Sequence, residues 1–227
     1  MRLAIEGFGE SIVLGGGPVA VLEIHNKRLY SRVCQSLISE KGESAVEPFL
    51  LWDDDGGKRS ARNAILAVPN PFDLPWSDRS LLGDLQDIVE NSYIVDDQAR
   101  RRIDESARRL REDVVELGLR LQSDYEFALE WDLGKFLKVF DFSVDEDPSA
   151  TLLDNLIKFV RFAFDAQCRQ VILFMNLKGF LEKKELEEFY REAFFCGLNV
   201  LLLESAPDES SYDKERKTVI DQDFLLS

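Results

Sequence analysis

The chain has 227 residues, of which 45% are hydrophobic and 11% aromatic, a composition typical of a globular protein and not of a disordered one. A chain of this length forms one large domain or two small ones, and it needs neither a disulfide nor a metal to fold. No run approaches the ~18 consecutive apolar residues of a membrane helix, and we expect no signal peptide. Cys34, Cys168 and Cys196 are odd in number and widely spaced, so we expect free thiols and a cytoplasmic location.

The formal net charge is −15. Acidity of this size argues against binding nucleic acid, because DNA binding requires Lys and Arg to neutralise phosphates. The average hides the distribution of charge, however, and bound cations can invert the sign of an acidic patch. The position of the basic residues along the chain therefore decides whether DNA is a candidate partner.

Short apolar runs separated by turn residues make up the first third of the chain. Two β-prone runs divided by Gly7 and Gly9 predict a hairpin, and the apolar run after Pro18 predicts a buried strand. Apolar residues at helical spacing predict one helix. The predicted elements are strands at 3–6, 11–14, 19–24, 49–52 and 64–68 and a helix at 26–39.

Three helices are predicted in the middle of the chain, at 80–89, 97–122 and 133–140. The second would span ~39 Å at about 1.5 Å per residue. Its apolar residues recur in alternating steps of four and three, which is the seam of a coiled-coil-like helix. We expect this helix to project from the protein or to pack along a partner. The seam consists of Ile103, Ala107, Leu110, Val114, Leu117 and Leu121.

Helices and buried strands alternate in the last third of the chain, which is the pattern of parallel α/β packing. The predicted elements are helices at 149–166 and 182–195 and strands at 171–176, 200–204 and 223–226. The predicted fold class is therefore α/β. We expect a parallel-sheet head domain built from residues 1–78 and 141–227, with a helical domain of residues 79–140 inserted between them.

The loop after the strand at 19–24 stands where a P-loop would bind phosphate. A P-loop requires glycines, whose backbone N–H groups surround the phosphates, followed by Lys and Ser or Thr. Residues 23–28 do not contain this pattern, and Asn176 stands where a magnesium-binding Asp would be expected. We therefore expect a P-loop-like topology without ATP binding.

Nucleophilic catalysis would have to use His25, and only Cys34 follows at short range, so we expect no enzyme activity.

One segment, residues 99–111, is strongly basic. It carries six arginines against Asp104 and Glu105, a net charge of +4. On one interpretation it is a solvated helix face with ion pairs four residues apart, such as Asp104–Arg108 and Glu105–Arg109. On the other, its guanidinium groups face phosphates, which arginine can bind in bidentate fashion. The arginines are Arg100, Arg101, Arg102, Arg108, Arg109 and Arg111.

Four carboxylates at the end of the long predicted helix are candidate metal ligands. Asp124, Glu126, Glu130 and Asp132 fall within nine residues, but their spacing does not match an EF-hand loop. Calcium binds six to eight oxygen ligands, and a single acidic cluster is usually a hydrated surface. The pattern alone is thus weak support for a metal site.

Several segments together resemble one known family, the ring-forming CRISPR-associated protein that acts in spacer acquisition in type II-A systems. The resemblance spans most of the chain and is carried by apolar strand patterns with polar punctuation. The matching segments are 169–177, 180–186, 200–204 and 220–226, with 126–131, 133–137 and 19–23.

The resemblance implies a head domain similar to P-loop ATPases but without the nucleotide site, and an inserted helical leg. It implies a homotetrameric ring with a basic central hole, held together by calcium ions, that threads onto free ends of duplex DNA without reading sequence. The expected partners are the CRISPR integrase and the effector nuclease. Carried over by position, the metal ligands are the four carboxylates above, and the DNA-facing residues are the six arginines with Lys135 and Lys138.

Two alternatives remain open. The first is an acidic scaffold with a degenerate P-loop fold that binds protein partners and not DNA. The second is a metal-dependent nuclease that uses the carboxylates between Asp124 and Asp132, although no nuclease motif accompanies them.

Overall fold

The computed structural model describes residues 1–123, 125–127 and 130–222. The chain divides into two compact units. We call them the α/β unit, Met1–Trp76 with Asp145–Ser227, and the helical unit, Ser77–Val144. The predicted mixed α/β fold with a parallel sheet is confirmed. None of the described helices is long and apolar enough to cross a membrane.

The described residues form both strands and helices, and the two kinds of element alternate along much of the chain. In chain order they are β1 (Arg2–Ile5), β2 (Ile12–Val13), β3 (Val19–Ile24), α1 (Lys27–Ile38), β4 (Phe49–Trp52), β5 (Lys58–Arg59), α2 (Ala61–Ala64), β6 (Ile65–Val68), α3 (Arg79–Val95), α4 (Asp97–Gly118), α5 (Leu133–Val139), α6 (Leu152–Asp165), β7 (Val171–Met175), α7 (Lys183–Phe195), β8 (Asn199–Glu204) and β9 (Glu215–Ile220).

The main sheet of the α/β unit has five strands in the spatial order β6-β7-β8-β3-β9, all parallel. Every residue of β3 and of β7 is buried, as expected for strands of a parallel sheet that is covered on both faces. β3 lies between β8 and β9, so a strand from near the start of the chain is flanked on both sides by strands from near its end. The carboxyl ends of all five strands meet at one edge of this sheet.

A second, antiparallel sheet has the order β2-β1-β4-β5. β1 alternates, with Leu3 and Ile5 buried and Arg2 exposed, as expected for a strand with one face on the core. Leu3 and Ile5 belong to the same apolar cluster as Leu22 of β3 and Val33 of α1. This sheet and α1 therefore cover one face of the parallel sheet.

The opposite face of the parallel sheet packs against α7. The ring of Phe174 on β7 meets Phe189 of α7 edge to face, with centroids 5.6 Å apart. α6 lies beside α7 and begins with a capping box in which Thr151 and Asp154 satisfy each other's backbone N–H groups. This reciprocal cap explains why α6 starts three residues later than the sequence pattern predicts.

The helical unit contains α3, α4 and α5. Each begins with an aspartate that accepts hydrogen bonds from the first-turn N–H groups, namely Asp78, Asp96 and Asp132. Asp96 follows α3 directly and caps α4, so the two helices are joined by a single residue. α4 ends at Gly118, four residues before the predicted end, and spans ~33 Å.

Most predicted elements of the parallel sheet are confirmed, and three differences stand out. β9 was not predicted, because its sequence Glu-Arg-Lys-Thr-Val-Ile is mostly polar and lies at the edge of the sheet. The last predicted strand, 223–226, lies outside the described residues. The short elements β5 and α2 were also missed, since two to four residues are too few for a periodic pattern.

Substituting Phe189→Ala should lower the free energy of unfolding by about 3–5 kcal/mol, because the ring is fully buried and a cavity would remain. Phe195→Ala on the same helix is the control, since that side chain is 73% exposed and should change stability by less than about 0.5 kcal/mol. Denaturant unfolding followed by circular dichroism measures both. Equal losses would contradict the packing described for α7.

Candidate nucleic-acid interface on the helical unit

All six predicted arginines lie on α4, and three of them are engaged by carboxylates. Arg100 pairs with Asp97 and donates to the carbonyl of Ile94 at 3.1 Å. Arg109 pairs with Glu105, as the spacing of four residues predicts. The other predicted pair, Asp104–Arg108, does not form, and Asp104 instead accepts a hydrogen bond from the Tyr93 hydroxyl.

Arg111 has the most elaborate surroundings of the six. One of its terminal nitrogens donates to Glu130 Oε2 at 3.0 Å, and its guanidinium carbon lies 5.2 Å from the centroid of the Phe127 ring. Both partners come from the segment after α4, sixteen and nineteen residues further along the chain. Sequence spacing gives no signal for such contacts.

The guanidinium groups of Arg101, Arg102 and Arg108 form no ion pair or hydrogen bond with any residue in the described part of the chain. All three side chains are exposed. Arg101 and Arg108 are seven residues apart, which places them on the same face of the helix two turns apart. Both interpretations of the basic segment therefore apply to α4. Three of its arginines are paired with carboxylates, and the other three are free to bind an external anion.

Lys135 and Lys138 lie on α5, and both are exposed. Lys135 Nζ is 3.6 Å from Asp132 Oδ2, and Asp132 Oδ1 accepts the backbone N–H of Lys135 at 2.8 Å. These interactions hold the pKa of Asp132 below its usual range, with the backbone hydrogen bond as the main cause. Asp132 therefore serves as the cap of α5.

The predicted carboxylates divide into three groups. Glu126 and Glu130 line an open cavity of about 570 Å³ together with Arg108 and Arg111. Asp132 is engaged in the α5 cap, and Asp124 lies outside the described residues. The sequence reasoning missed Glu112 and Glu116, which line the same cavity and stand four residues apart on α4. Their spacing of four residues could have indicated that both carboxylates lie on one face of the helix.

The fit of this region to a calcium ion can be judged from its described donors. Within residues 1–123, 125–127 and 130–222, no three or more His, Cys, Asp or Glu side chains gather in a way that could hold a metal. Glu130 is already paired with Arg111, and Asp132 with Lys135. The described donors therefore do not form a calcium site by themselves.

The apolar seam of α4 is covered in its first half and open in its second. Ala107 is buried and Ile103 half-buried. Leu110 and Leu117 are 58% and 59% exposed, and Val114 is also exposed. Leu121, predicted as the last residue of the seam, lies beyond the end of α4 at Gly118. An exposed row of apolar side chains at steps of three and four marks a surface suited to another helix.

The carboxyl edge of the parallel sheet, where a P-loop protein would bind phosphate, is occupied by side chains of this protein. His25 Nε2 lies 2.6 Å from Glu23 Oε1. Asn176 Oδ1 accepts hydrogen bonds from Ser205, from the backbone N at 3.0 Å and from Oγ at 2.8 Å. Cys34 lies beside Tyr30, and burial raises the pKa of its thiol, which is the opposite of an activated nucleophile.

Comparison with known proteins identifies relatives at the level of family and fold. The family described as CRISPR-associated protein (Cas_Csn2) matches residues 44–224. No curated protein matches the sequence. The crystal structure of Stu0660 of Streptococcus thermophilus is similar in fold, with a TM-score of 0.53 and 16% identity over 97% of this chain and 74% of that chain.

Substituting Arg111→Ala should lower the free energy of unfolding by about 1 kcal/mol, because it removes one ion pair to the exposed Glu130 and one cation–π contact. Arg108→Ala on the same helix is the matched control and should have an effect of less than about 0.5 kcal/mol. Urea unfolding compares the two variants. If Arg108→Ala cost as much as Arg111→Ala, the assignment of Arg108 as a free cation would be wrong.

Proposed function

We propose that this chain, which belongs to the CRISPR-associated Csn2 family of type II-A adaptation proteins, is a non-enzymatic protein that binds the ends of double-stranded DNA during spacer acquisition. It acts as a homotetrameric ring, depends on calcium and does not read sequence. The observation that carries the DNA part is the free, exposed set of Arg101, Arg102 and Arg108 on α4.

The electrostatics of α4 favour weak, sequence-independent contact with phosphates. Arginine presents planar donors that match phosphate oxygens, and each neutralised phosphate releases counterions. Three free guanidinium groups on a chain of net charge −15 give modest attraction per subunit. A ring does not need more, because several copies act together and the closed topology retains a linear duplex.

The exposed second half of the α4 seam supports self-assembly of the ring. Leu110, Val114 and Leu117 form an apolar row that the helical unit itself leaves uncovered. Basic residues dominate up to Arg111, whereas Glu112, Asp113 and Glu116 follow at once. Two antiparallel copies of α4 would thus place the basic half of each helix beside the acidic half of the other, which favours an isologous contact.

The other parts of the proposal come from the family resemblance. Calcium would reduce the repulsion between the carboxylates near the end of α4 and the phosphates, and Asp124, Glu126, Glu130 and Asp132 remain the proposed ligands. The α/β unit is proposed to be a degenerate P-loop domain, in keeping with its parallel sheet and with the lack of a glycine-rich loop after β3. The CRISPR integrase and the effector nuclease are the proposed protein partners.

The double variant Arg101→Gln/Arg108→Gln should weaken binding to a linear duplex by about tenfold or more and lower the salt dependence by about one unit per lost contact. Arg100→Gln/Arg109→Gln removes the same charge from the same helix but affects arginines that are already paired, so it should weaken binding less. Gel shifts of one duplex in linear and covalently closed circular form, in calcium and in EGTA, provide the measurement.

The end-threading ring predicts a shift of the linear form only, and only with calcium. Equal losses for the two double variants would remove the role assigned to the free arginines. If neither DNA form shifts at low salt, the DNA proposal fails and the acidic scaffold becomes the better account. If calcium leads to cleavage of the duplex, the protein is an enzyme and the nuclease alternative replaces the proposal.

The double variant Leu110→Glu/Leu117→Glu should dissociate the assembly while leaving the helical content unchanged, because both side chains are exposed within one chain. Val46→Glu, an exposed apolar position in the α/β unit, is the matched control. Light scattering coupled to gel filtration reports the mass, and circular dichroism reports the fold. An unchanged mass for the seam variant would exclude this face of α4 from the interface.

A further inference from the structure

Two buried glutamates lie side by side at the carboxyl edge of the parallel sheet. Glu23 near the end of β3 and Glu204 at the end of β8 are paired in the register of the two strands, and each is 2% exposed. The chain leaves β8 and crosses to β9 on the far side of β3.

Two lysines bind Glu23 and two nearby carboxylates, Asp208 and Glu215, but neither forms an ion pair with Glu204 in the described part of the chain. Lys178 Nζ lies 2.8 Å from Asp208 Oδ2 and 2.8 Å from Glu215 Oε2, and its side chain is 8% exposed. Lys217 Nζ is 3.5 Å from Glu215 Oε1 and 3.9 Å from Glu23 Oε2. Strands β3 and β9 and the turn after β7 are thus joined through one buried ionic cluster.

The segment between β8 and β9, residues 205–214, is anchored to this cluster, and we call it the strap. Ser205 donates to Asn176, and the backbone N–H of Asp208 donates to Glu23 Oε2 at 3.3 Å. Lys217 Nζ donates to the carbonyl of Ser210 at 3.1 Å. The ring of Tyr212 meets that of Tyr190, with centroids 5.5 Å apart. The strap is therefore held by polar or ionisable groups of β3, β9, α7 and the turn after β7, and its closure depends on the charge of this cluster.

The charges of the cluster do not balance. Four carboxylates face two ammonium groups and the imidazole of His25, so the acidic groups are in excess, and buried negative charge is costly in a medium of low polarity. The carboxylates are Glu23, Glu204, Asp208 and Glu215, and the ammonium groups are Lys178 and Lys217. The least costly remedy is for the cluster to keep a proton.

Glu204 is the best acceptor of that proton. Its Oε1 accepts the backbone N–H of Lys178 at 3.1 Å, and no lysine side chain lies within ion-pair distance of it in the described part of the chain. Burial raises the pKa of Glu204 to about 7, and the neighbouring Glu23 adds to the shift. By contrast, hydrogen bonding and the charge of Lys178 hold the pKa of Asp208 down at about 2, despite its partial burial.

We propose that the strap is a pH-sensitive latch, which is closed over the carboxyl edge of the sheet while Glu204 carries a proton and is released when Glu204 ionises. The proposal is independent of DNA binding and of ring assembly. Because the pKa of Glu204 is raised in the closed state, protonation of Glu204 favours closure. The stabilisation of the closed strap is complete below the ordinary carboxyl pKa and is lost as pH rises through about 7.

Other titratable groups face Glu204 and its neighbours. Burial raises the pKa of Tyr30, of Tyr190 and of Tyr212, so these phenols stay neutral around pH 7. Burial also raises the pKa of the Cys34 thiol on α1. His25 Nε2 contacts Glu23 Oε1, so its imidazole also belongs to this cluster. A test of the latch must therefore separate Glu204 from His25.

Hydrogen exchange of the full-length protein, expressed as protection relative to intrinsic exchange rates, tests the latch. Protection of peptides covering 205–214 should fall about tenfold between about pH 6 and about pH 8.5 in the natural sequence. Glu204→Gln keeps the shape and the acceptor for Lys178 but cannot ionise, so its strap should stay equally protected at both pH values. Peptides from α6 serve as the internal reference.

Glu209→Gln is the matched control, because it removes the same charge from an exposed position of the strap and should retain the full pH response. His25→Gln should also retain it. The proposal is overturned if strap protection in the natural sequence does not change with pH, if Glu204→Gln responds as strongly as Glu209→Gln, or if His25→Gln alone abolishes the response.

Discussion

The burial of β3 between β8 and β9 is the constraint on which the α/β unit depends. All six side chains of β3 are buried, and the strand pairs in parallel on both edges. Parallel pairing requires long crossovers, so residues near the start of the chain are held by residues some 180 positions later. The same register places Glu23 beside Glu204, and the unusual ionic cluster at the sheet edge follows directly from it.

Charge is distributed in this protein by local pairing more than by large segregated surfaces. On α4, neighbouring or distant carboxylates neutralise three arginines and leave three free. An acidic protein can in this way present a small cationic surface without a basic domain. Such a surface is sensitive to salt, because nothing but phosphate contacts would hold the DNA. The proposal of a ring answers this weakness, since symmetry multiplies a contact that is too weak alone.

The sequence was sufficient to predict the buried strands and most of the helices. The apolar runs that became β3 and β4 are predicted with their observed bounds, because a short, predominantly apolar run between turn residues favours a buried strand. β9 escaped prediction because an edge strand can be polar. In the candidate site, the Glu105–Arg109 pair follows from spacing, whereas the contacts of Arg111 with Phe127 and Glu130 depend on the path of the chain after α4.

The carboxyl edge of the parallel sheet satisfies its buried polar groups from within the chain. In a nucleotide-binding protein of this topology, the carboxyl ends of the strands would be open to phosphates and a metal ion. Here two lysine side chains supply the positive charge, and the strap supplies N–H donors in place of a glycine-rich loop. Buried ion pairs add little to stability compared with apolar packing, but breaking one leaves an uncompensated charge. The cluster therefore favours one arrangement of the strap, and in the proposed latch a single buried carboxyl decides whether that arrangement holds.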